Sequence, residues 1–177
     1  YLNIVKSDFT ISNSTFKNSL ADAFDSDFSE GSIYDVTFIN SGNDAIDVSG
    51  TKLFLENIEI LSTADKSISA GEDSHIKCKQ IKIEGGEIAV TSKDKSTVEI
   101  DGLTIEGSKL AYTAFTKKPE FGPGVIMIKN ASVENVLTDH LIQTGSLLII
   151  DGKEIKGTIE NVEKLLYGNE YGKASVR

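Results

Sequence analysis

The stretch "GSIYDVTFINSGNDAIDVSG" (31–50) holds one complete unit of a pattern that repeats along the chain. In its first half, "VTFIN" (36–40), Val36 and Phe38 alternate with the polar Thr37. Alternation with a period of two is typical of a β-strand that buries one face. A polar turn segment then leads to a second apolar run, "AIDV" (45–48). The unit therefore predicts short strands joined by tight turns.

Apolar residues recur in three columns along the chain. The first column is Ile11, Ile33, Leu55, Cys78, Ile100, Ile128 and Ile150, with steps of 22, 22, 23, 22, 28 and 22 residues. The second is Phe16, Phe38, Ile60, Ile83, Ile105, Val133 and Ile155. The third is Phe24, Ile46, Ile68, Val90 and Tyr112. A repeat of this length indicates a solenoid. We predict an all-β, right-handed parallel β-helix of about seven coils, each of roughly 22 residues and three strands.

Two other folds fit the pattern less well. A leucine-rich repeat needs a helical pattern in each unit, and none occurs before residue 158. A β-sandwich pairs its strands antiparallel and does not hold a 22-residue register over five coils. A corner column supports the solenoid, because Asn and Gly tolerate the positive φ that a sharp turn needs. It consists of Asn18, Asn40, Ser62, Gly85, Gly107 and Asn135.

The sequence predicts different ends for the solenoid. Residues 1–157 form the β-helix, and residues 158–177 form a capping helix with a tail. The helix is expected near 159–167, with Thr158 as N-cap and Gly168 at its end. The N-terminal residues begin directly as a strand, so we expect either further coils or a partner at that edge, and a larger parent protein.

Composition limits the classes of function. The 177 residues carry a net charge of −9, which disfavours nucleic-acid and anionic-membrane partners because both attract basic surfaces. No run approaches 18 consecutive apolar residues, so no membrane insertion is expected. The single cysteine excludes an internal disulfide, and its column position predicts a buried apolar role.

The third strand and its turn are the most unusual part of each coil. Their predicted outward positions include Asp25, Asp47, Ser69, Thr91 and Thr113, then Asp27, Ser49, Gly71, Lys93 and Phe115. A small outward column, predicted beside them, is Ala23, Ala45, Ser67, Ala89 and Ala111. The result is a strip about 20 Å long, acidic at one end and basic at the other. Our candidates for catalysis on this strip are Asp25, Asp47, Lys66, Lys93 and Tyr112.

One coil carries six extra residues, which we place in "FTKKPEFGPG" (115–124). Loops that project from a rigid solenoid often carry function. Our candidates for substrate binding are Glu72, Asp94, Phe115, Lys117, Lys118 and Phe121. His75 and His140 share no coil, so no metal site is predicted on them. No cofactor is expected, although Asp25 and Asp47 could hold Ca²⁺ through oxygen ligands.

Several strings resemble a group of bacterial right-handed β-helix repeat proteins. They are "GNDAIDVSG" (42–50), "ADKSISAGEDS" (64–74), "EIAVTSKDKSTVEIDGLTI" (87–105) and "AFTKKPEFGP" (114–123), within a match that covers most of residues 14–130. Such proteins are large, multidomain and surface-bound or secreted. The resemblance implies the fold and an extracellular or cell-surface location, and it transfers no catalytic residues.

A weaker resemblance is to the β-helices of polygalacturonases and polysaccharide lyases. On the third-strand face, polygalacturonases carry Asn-x-Asp, an Asp pair, Gly-His-Gly and Arg-x-Lys on successive coils. This chain offers Asp22 and Asp25, then Asp44 and Asp47, and finally Lys93, but it has neither the His nor the Arg. An inverting glycosidase needs carboxyls 6.5–9.5 Å apart, whereas neighbours on adjacent coils lie about 5 Å apart.

Two functions follow as hypotheses. The first is an extracytoplasmic β-helix module that acts as a rigid scaffold or as a glycan- or protein-binding surface. Its partners would be a polysaccharide or neighbouring domains of the parent protein. The second is a carbohydrate-active enzyme on an acidic polysaccharide, a lyase or epimerase before a hydrolase. An enzyme would need a walled groove in which Asp47 and Lys93 or Lys66 converge.

Overall fold

The computed structural model describes residues 1–168 of the chain. It contains fifteen strands and one short helix, α1 (Val162–Leu166). The strands are, in chain order, β1 (Leu2–Val5), β2 (Asp8–Lys17), β3 (Phe24–Asp27), β4 (Glu30–Ser41), β5 (Ile46–Ser49), β6 (Lys52–Thr63), β7 (Lys66–Gly71), β8 (His75–Glu84), β9 (Ile88–Lys93), β10 (Thr97–Glu106), β11 (Leu110–Phe115), β12 (Val125–Glu134), β13 (Thr138–Ile142), β14 (Leu147–Ile150) and β15 (Lys153–Lys156).

The chain alternates between two sheets, and this alternation makes it a parallel β-solenoid. The short strands form one sheet in the order β1-β3-β5-β7-β9-β11-β13. The long strands form the other in the order β14-β12-β10-β8-β6-β4-β2, with β15 added at the end. Pairing is parallel throughout except at β15, and it follows the predicted register, for example Ile11 to Ile33 and Ile33 to Leu55. The predicted solenoid of about seven coils is confirmed.

The count of strands per coil differs from the prediction of three. The first two predicted strands form one long strand that bends at a residue with positive φ, and hydrogen bonding continues through the bend. The bending residues are Asn13, Asp35, Asn57, Gln80, Gly102 and Asn130. A single left-handed residue turns the chain without ending the ladder, and Asn, Asp and Gly accept this conformation at low cost. Each coil therefore has two strands.

The predicted Asn/Gly corner after the second column is confirmed. Its six members, Asn18, Asn40, Ser62, Gly85, Gly107 and Asn135, all have φ between 54° and 71°. The Asn40 side-chain amide donates to Asn18 Oδ1 at 3.1 Å, as stacked Asn side chains can. The corner is thus stabilised both by residue type and by contact between coils.

A column of hydroxyl groups, which we call the hydroxyl ladder, follows the short strands. It consists of Ser7, Ser29, Thr51, Ser74 and Ser96. The backbone N–H of each of the first four donates to the hydroxyl oxygen one coil further on, at 3.0 to 3.2 Å. Each bond satisfies a backbone donor that the turn would otherwise leave buried and unpaired. The ladder was not predicted, because Ser and Thr at a turn carry no specific signal.

The three apolar columns fill the interior. Cys78 lies in the core as predicted, and burial raises the pKa of its thiol. The small column Ala23, Ala45, Ser67, Ala89 and Ala111 was predicted to face outward, and that prediction is wrong. Its members are buried, and the four alanines pack in the core. Alternation is interrupted at these positions, because the small residue and the residue after it, such as Ala45 and Ile46, both face inward.

The C-terminal part departs from the prediction in two places. Ile155 does not continue the second column, because the chain reverses after Asp151 and β15 pairs antiparallel with β14. The helix begins at Val162, not near residue 159, and Asn161 is its N-cap, with Oδ1 accepting from Lys164 N at 2.8 Å. Ile159 instead forms a parallel bridge with Gln143. Residues 169–177 of the predicted tail lie outside the described residues.

Candidate functional site

The outward side chains of β3, β5, β7, β9 and β11 form the surface on which the candidate site was predicted. We call it the outer short-strand face. Asp25 and Asp47 are partly exposed there, whereas Ser69, Thr91 and Thr113, next in the same column, are buried. The face is therefore open at its N-terminal end and covered further along, and it is not the continuous strip that was predicted.

The cover is helix α1. Val162 and Leu166 pack with Ile88, Leu110 and Phe115 in a small apolar cluster outside the solenoid core. Burial of a side chain of this size contributes about 1.5 to 3 kcal/mol. Phe115, predicted to bind substrate, is fully buried under the helix and cannot contact a ligand in this structure.

At the edge of the open part, Lys93 pairs with Asp47. The Lys93 ammonium lies 3.4 Å from Asp47 Oδ1 and donates to Ser69 Oγ at 2.8 Å. The lysine thus reaches back over two coils to the acidic end. The strip is therefore not divided into an acidic and a basic end as predicted, because Lys93 neutralises Asp47.

Lys66 forms a second, more deeply buried ion pair. Its ammonium lies 2.5 Å from Asp65 Oδ2 and 3.6 Å from Asp44 Oδ1. Asp44 Oδ1 also accepts from the backbone N–H of Lys66 at 2.8 Å. The ring centroid of Tyr167, just after α1, lies 5.8 Å from the Lys66 ammonium, a cation–π distance. Aromatic and carboxylate groups therefore enclose this lysine.

Burial and these contacts together shift the pKa values of Asp44, Asp47, Lys66 and Lys93. Burial raises the pKa of Asp44 to about 7, and nearby Asp47 adds to the shift, while Lys66 opposes it. Burial would also raise the pKa of Asp47, but Lys93, the Ser69 hydroxyl and Lys66 together bring it below its ordinary value. Burial would lower the pKa of Lys66 and Lys93, yet the neighbouring carboxylates raise both. At neutral pH both lysines are cationic and Asp47 is ionised.

Asp25 and Asp27 make up the open acidic end. Asn3 Nδ2 donates to Asp25 Oδ2 at 2.7 Å, and the Tyr1 hydroxyl lies 3.4 Å from the same oxygen. Burial and then the neighbouring carboxylates raise the pKa of both aspartates, against the hydrogen bond from Asn3. The neighbouring carboxylates concentrate negative charge here, and Lys118 offsets part of it at Asp27.

Tyr112 was predicted both as an inward column residue and as a candidate base, and it can only be the first. The side chain lies in the core at 2% exposure, and its hydroxyl has no hydrogen-bond partner among the described residues. Burial raises the pKa of the Tyr112 phenol above its ordinary value. Tyr112 does not reach the outer short-strand face.

The remaining candidates belong to the insertion, residues 116–124, and its contacts. Asp94 is fully buried, and its Oδ1 accepts from the backbone N–H groups of Lys117 and Lys118 at 2.7 and 2.6 Å. Asp94 therefore holds the loop and does not face a ligand. The Lys118 ammonium pairs with Glu72, which fixes the loop beside the acidic end. Phe121 is half-buried at the tip.

The loop contacts two other elements. The Lys117 ammonium lies 5.1 Å from the Tyr167 ring centroid, so the loop and the end of α1 meet beside the buried ion pairs. Gly124 lets the chain return against β9, since a Cβ there would lie 2.2 Å from the Ser92 carbonyl oxygen. Helix α1 and the loop therefore contact each other beside the buried ion pairs.

The candidate residues did not include Asp65 or Tyr167, and Asp44 entered only through the resemblance to polygalacturonases. Asp44 and Asp47 are three residues apart, and strict alternation would place them on opposite faces. Ala45 and Ile46 both face inward, which places Asp44 and Asp47 on the outer side. No pattern within a single coil indicates this. The repetition of Asp22 at Asp44, one coil later, was the only available signal. The place of Tyr167 depends on how α1 packs, which is a long-range contact.

Within residues 1–168, no three His, Cys, Asp or Glu side chains come together as a metal site would require. None of the helices in that range is long and apolar enough to cross a bilayer. Comparison with known proteins gives no matching family model, no matching curated protein and no matching solved structure. The class of protein that the fold defines is a parallel β-solenoid of about seven coils.

Proposed function

We propose that this chain is a rigid β-solenoid module whose outer short-strand face binds a polysaccharide. The observation that carries the proposal is the group of partly exposed Asp25, Asp27 and Asp47 carboxylates beside the buried ion pairs of Lys66 and Lys93. A plain spacer needs no buried charges, because a buried ion pair seldom stabilises a fold more than apolar side chains of similar volume would. The proposed setting is a larger bacterial protein that is secreted or attached to the cell surface.

The chemistry of the open end suits sugar hydroxyl groups. Ionised carboxylates accept hydrogen bonds only, and the Asn3 amide both donates and accepts, so the pair complements O–H groups. Parallel pairing keeps Asp25 and Asp47 on adjacent coils, about 4.8 Å apart along the solenoid. Lys66 and Lys93 already pair with aspartates, so neither of them is a free base for uronate groups. We therefore favour neutral or amino sugars over acidic ones as ligands.

The test is an affinity measurement by calorimetry with neutral, amino and acidic oligosaccharides. The double variant Asp25→Asn and Asp47→Asn should weaken binding at least tenfold. Glu59→Gln serves as the matched control, because Glu59 lies on an exposed surface of the long-strand sheet and pairs with Lys82. Equal binding by the native chain and the double variant would overturn the proposal.

A carbohydrate-active enzyme is the second candidate, and one observation favours it. Asp44, with a pKa of about 7, lies three residues from Asp47, whose pKa is lowered. Two carboxyls with separated pKa values are how glycosidases divide the roles of acid and base. The cationic state of Lys66 and Lys93 weighs against either as the base of a lyase or epimerase. The enzyme hypothesis therefore rests on the two aspartates.

Turnover assays distinguish the candidates. An enzyme would release reducing ends from a bound polysaccharide with a bell-shaped pH profile, and Asp47→Asn would remove activity while binding persisted. Binding without turnover over pH 4 to 9 would leave the non-catalytic module. Ca²⁺ also remains a proposal, and calorimetric titration with the metal alone tests it.

A further inference from the structure

The outer side of the long-strand sheet, before the bend in each strand, carries a patch that the proposed function does not use. We call it the long-strand patch. It consists of two outward columns on β6, β8, β10 and β12, the first Phe54, Lys77, Glu99 and Met127 and the second Glu56, Lys79, Asp101 and Lys129. Successive members of each column are register partners on adjacent coils, and all eight side chains are partly or largely exposed.

The charged members of the patch stand beside opposite charges on the next coil, yet they form no ion pair within residues 1–168. Beyond the bend of the same strands such neighbours do pair, since the Lys82 ammonium lies 3.2 Å from Glu59 Oε1. In the patch, the Asp101 carboxylate accepts only from the Asn130 side-chain amide, at 2.7 Å. The patch therefore keeps its charges available to groups outside the chain.

Apolar side chains flank these charges at both ends of the patch. A shallow cavity of about 400 Å³ runs between the two columns, with Phe54 at the β6 end and Met127 and Ile149 at the other end. All three side chains are half-buried. The Lys79 ammonium lies 5.8 Å from the Phe54 ring centroid, a cation–π distance that holds both side chains at the cavity. Each end can thus receive an apolar side chain.

The two columns are self-complementary about one point between β8 and β10. A two-fold axis through this point, parallel to the strands, reverses the order of the coils and sets each column opposite itself in a second copy. Lys79 then faces the second copy's Asp101, and Asp101 faces its Lys79. The other facing pairs are likewise of opposite charge or both apolar: Lys77 with Glu99, Glu56 with Lys129, and Phe54 with Met127. An isologous interface requires this match, because every contact in it forms twice.

We propose that the long-strand patch joins two copies of this chain face to face, with antiparallel solenoid axes. Charge complementarity selects this occupant, because one axis satisfies both columns at once and any other alignment along the solenoid opposes like charges. The patch extends about 20 Å by the coil spacing, so the interface is small and the dimer is weak. The outer short-strand face belongs to the other sheet and stays uncovered in the dimer.

Charge reversal at one facing pair tests the dimer by analytical ultracentrifugation at micromolar to millimolar protein. Lys79→Glu alone and Asp101→Lys alone should each weaken self-association at least tenfold, because each variant sets like charges opposite one another. An equimolar mixture of the two variants should associate as a heterodimer, because both facing pairs are again of opposite charge. Lys82→Glu is the matched control, since the same change of charge beyond the bend lies outside the patch.

Three results would overturn the proposal. The native chain could remain monomeric at millimolar concentration, or its self-association could be weakened as much by Lys82→Glu as by Lys79→Glu. The mixture of Lys79→Glu and Asp101→Lys could also fail to associate while the circular dichroism of each variant matches that of the native chain. None of these readouts involves a glycan, so this inference stands or falls separately from the proposed function.

Discussion

Lys66 is a charged residue whose side chain is almost completely buried. Its side chain is 5% exposed and contacts the carboxylates of Asp44 and Asp65. These carboxylates stabilise the Lys66 ammonium, because a buried charge needs a partner. The residue therefore supports the covered part of the outer short-strand face and the position of Tyr167.

Replacing Lys66 should be strongly destabilising. Lys66→Ala leaves two carboxylates without their base, and loss of one partner of a buried pair costs about 3 to 5 kcal/mol. Urea unfolding measures the change in free energy of unfolding. Lys82→Ala is the control, because Lys82 pairs with Glu59 and Glu84 on the exposed surface and should change little. Equal losses in the two variants would contradict the account of the buried pair.

The pKa of Asp44 predicts a pH dependence with a definite sign. Its folded value of about 7 lies above the ordinary 3.8, so the folded state holds this proton where the unfolded state has lost it. The unfolded state then binds fewer protons, and the Asp44 contribution to stability falls as pH rises from about 4 to 7. Asp47 has the opposite sign, because its pKa is lowered.

Asp44→Asn isolates the contribution of Asp44 to stability. The free energy of unfolding of the variant, relative to that of the native chain, should increase as pH rises from 4 to 7 and level off above it. Denaturation at several pH values measures the difference, and carboxyl NMR titration reads the pKa directly. A difference that does not vary over this range would show that Asp44 titrates normally.

At the scale of elements, α1 is the part that sequence reasoning placed least well. A helix was predicted in this part of the chain, but it was expected to cap the end of the solenoid. The helix instead lies on the outer short-strand face against Phe115. A five-residue helix has little stability of its own, so its position depends on this contact.

Leu166→Ala should therefore release α1 from the face. Leu166 is buried and Leu165, its neighbour, is 43% exposed, so Leu165→Ala is a control of the same chemistry. Burial predicts a loss of about 2 to 3 kcal/mol for Leu166→Ala and a small change for the control. Hydrogen exchange at the β11 amides should also accelerate in the first variant only. Similar effects of both substitutions would mean that the helix does not clamp the face.

The elements that could be predicted are those fixed by the repeat. The columns of Ile, Leu and Phe predicted the register, and Asn18 and Asn40 predicted a corner, because stacking makes each coil repeat the same local requirement. The bend at Asn13 was missed because the ladder continues through it. The direction of Ala45 and the role of Asp44 were missed because a local kink overrides alternation. The convergence of Lys93 with Asp47 was considered as a requirement for an enzyme, whereas the pairing of Lys66 with Asp44 and Asp65 was not predicted.

The net charge of −9 is not spread evenly over the outer short-strand face. Lysines pair with Asp44, Asp47 and Asp65, whereas Asp25 and Asp27 form no ion pair within residues 1–168. The solenoid holds this difference in place, because the strands of each coil are hydrogen-bonded to those of the adjacent coils. The molecule thus presents an acidic, hydrogen-bonding patch at one end of a fixed support.

The central claim is that the open part of the outer short-strand face binds a polysaccharide, and NMR mapping tests it most directly. Oligosaccharides with neutral and amino sugars would be titrated into labelled protein while the backbone amide shifts are followed. The account predicts saturable shifts centred on Asp25, Asp27 and Asp47, with little change at Thr37 and Thr104 on the long-strand sheet. Shifts confined to the long-strand sheet, or none at millimolar ligand, would contradict it.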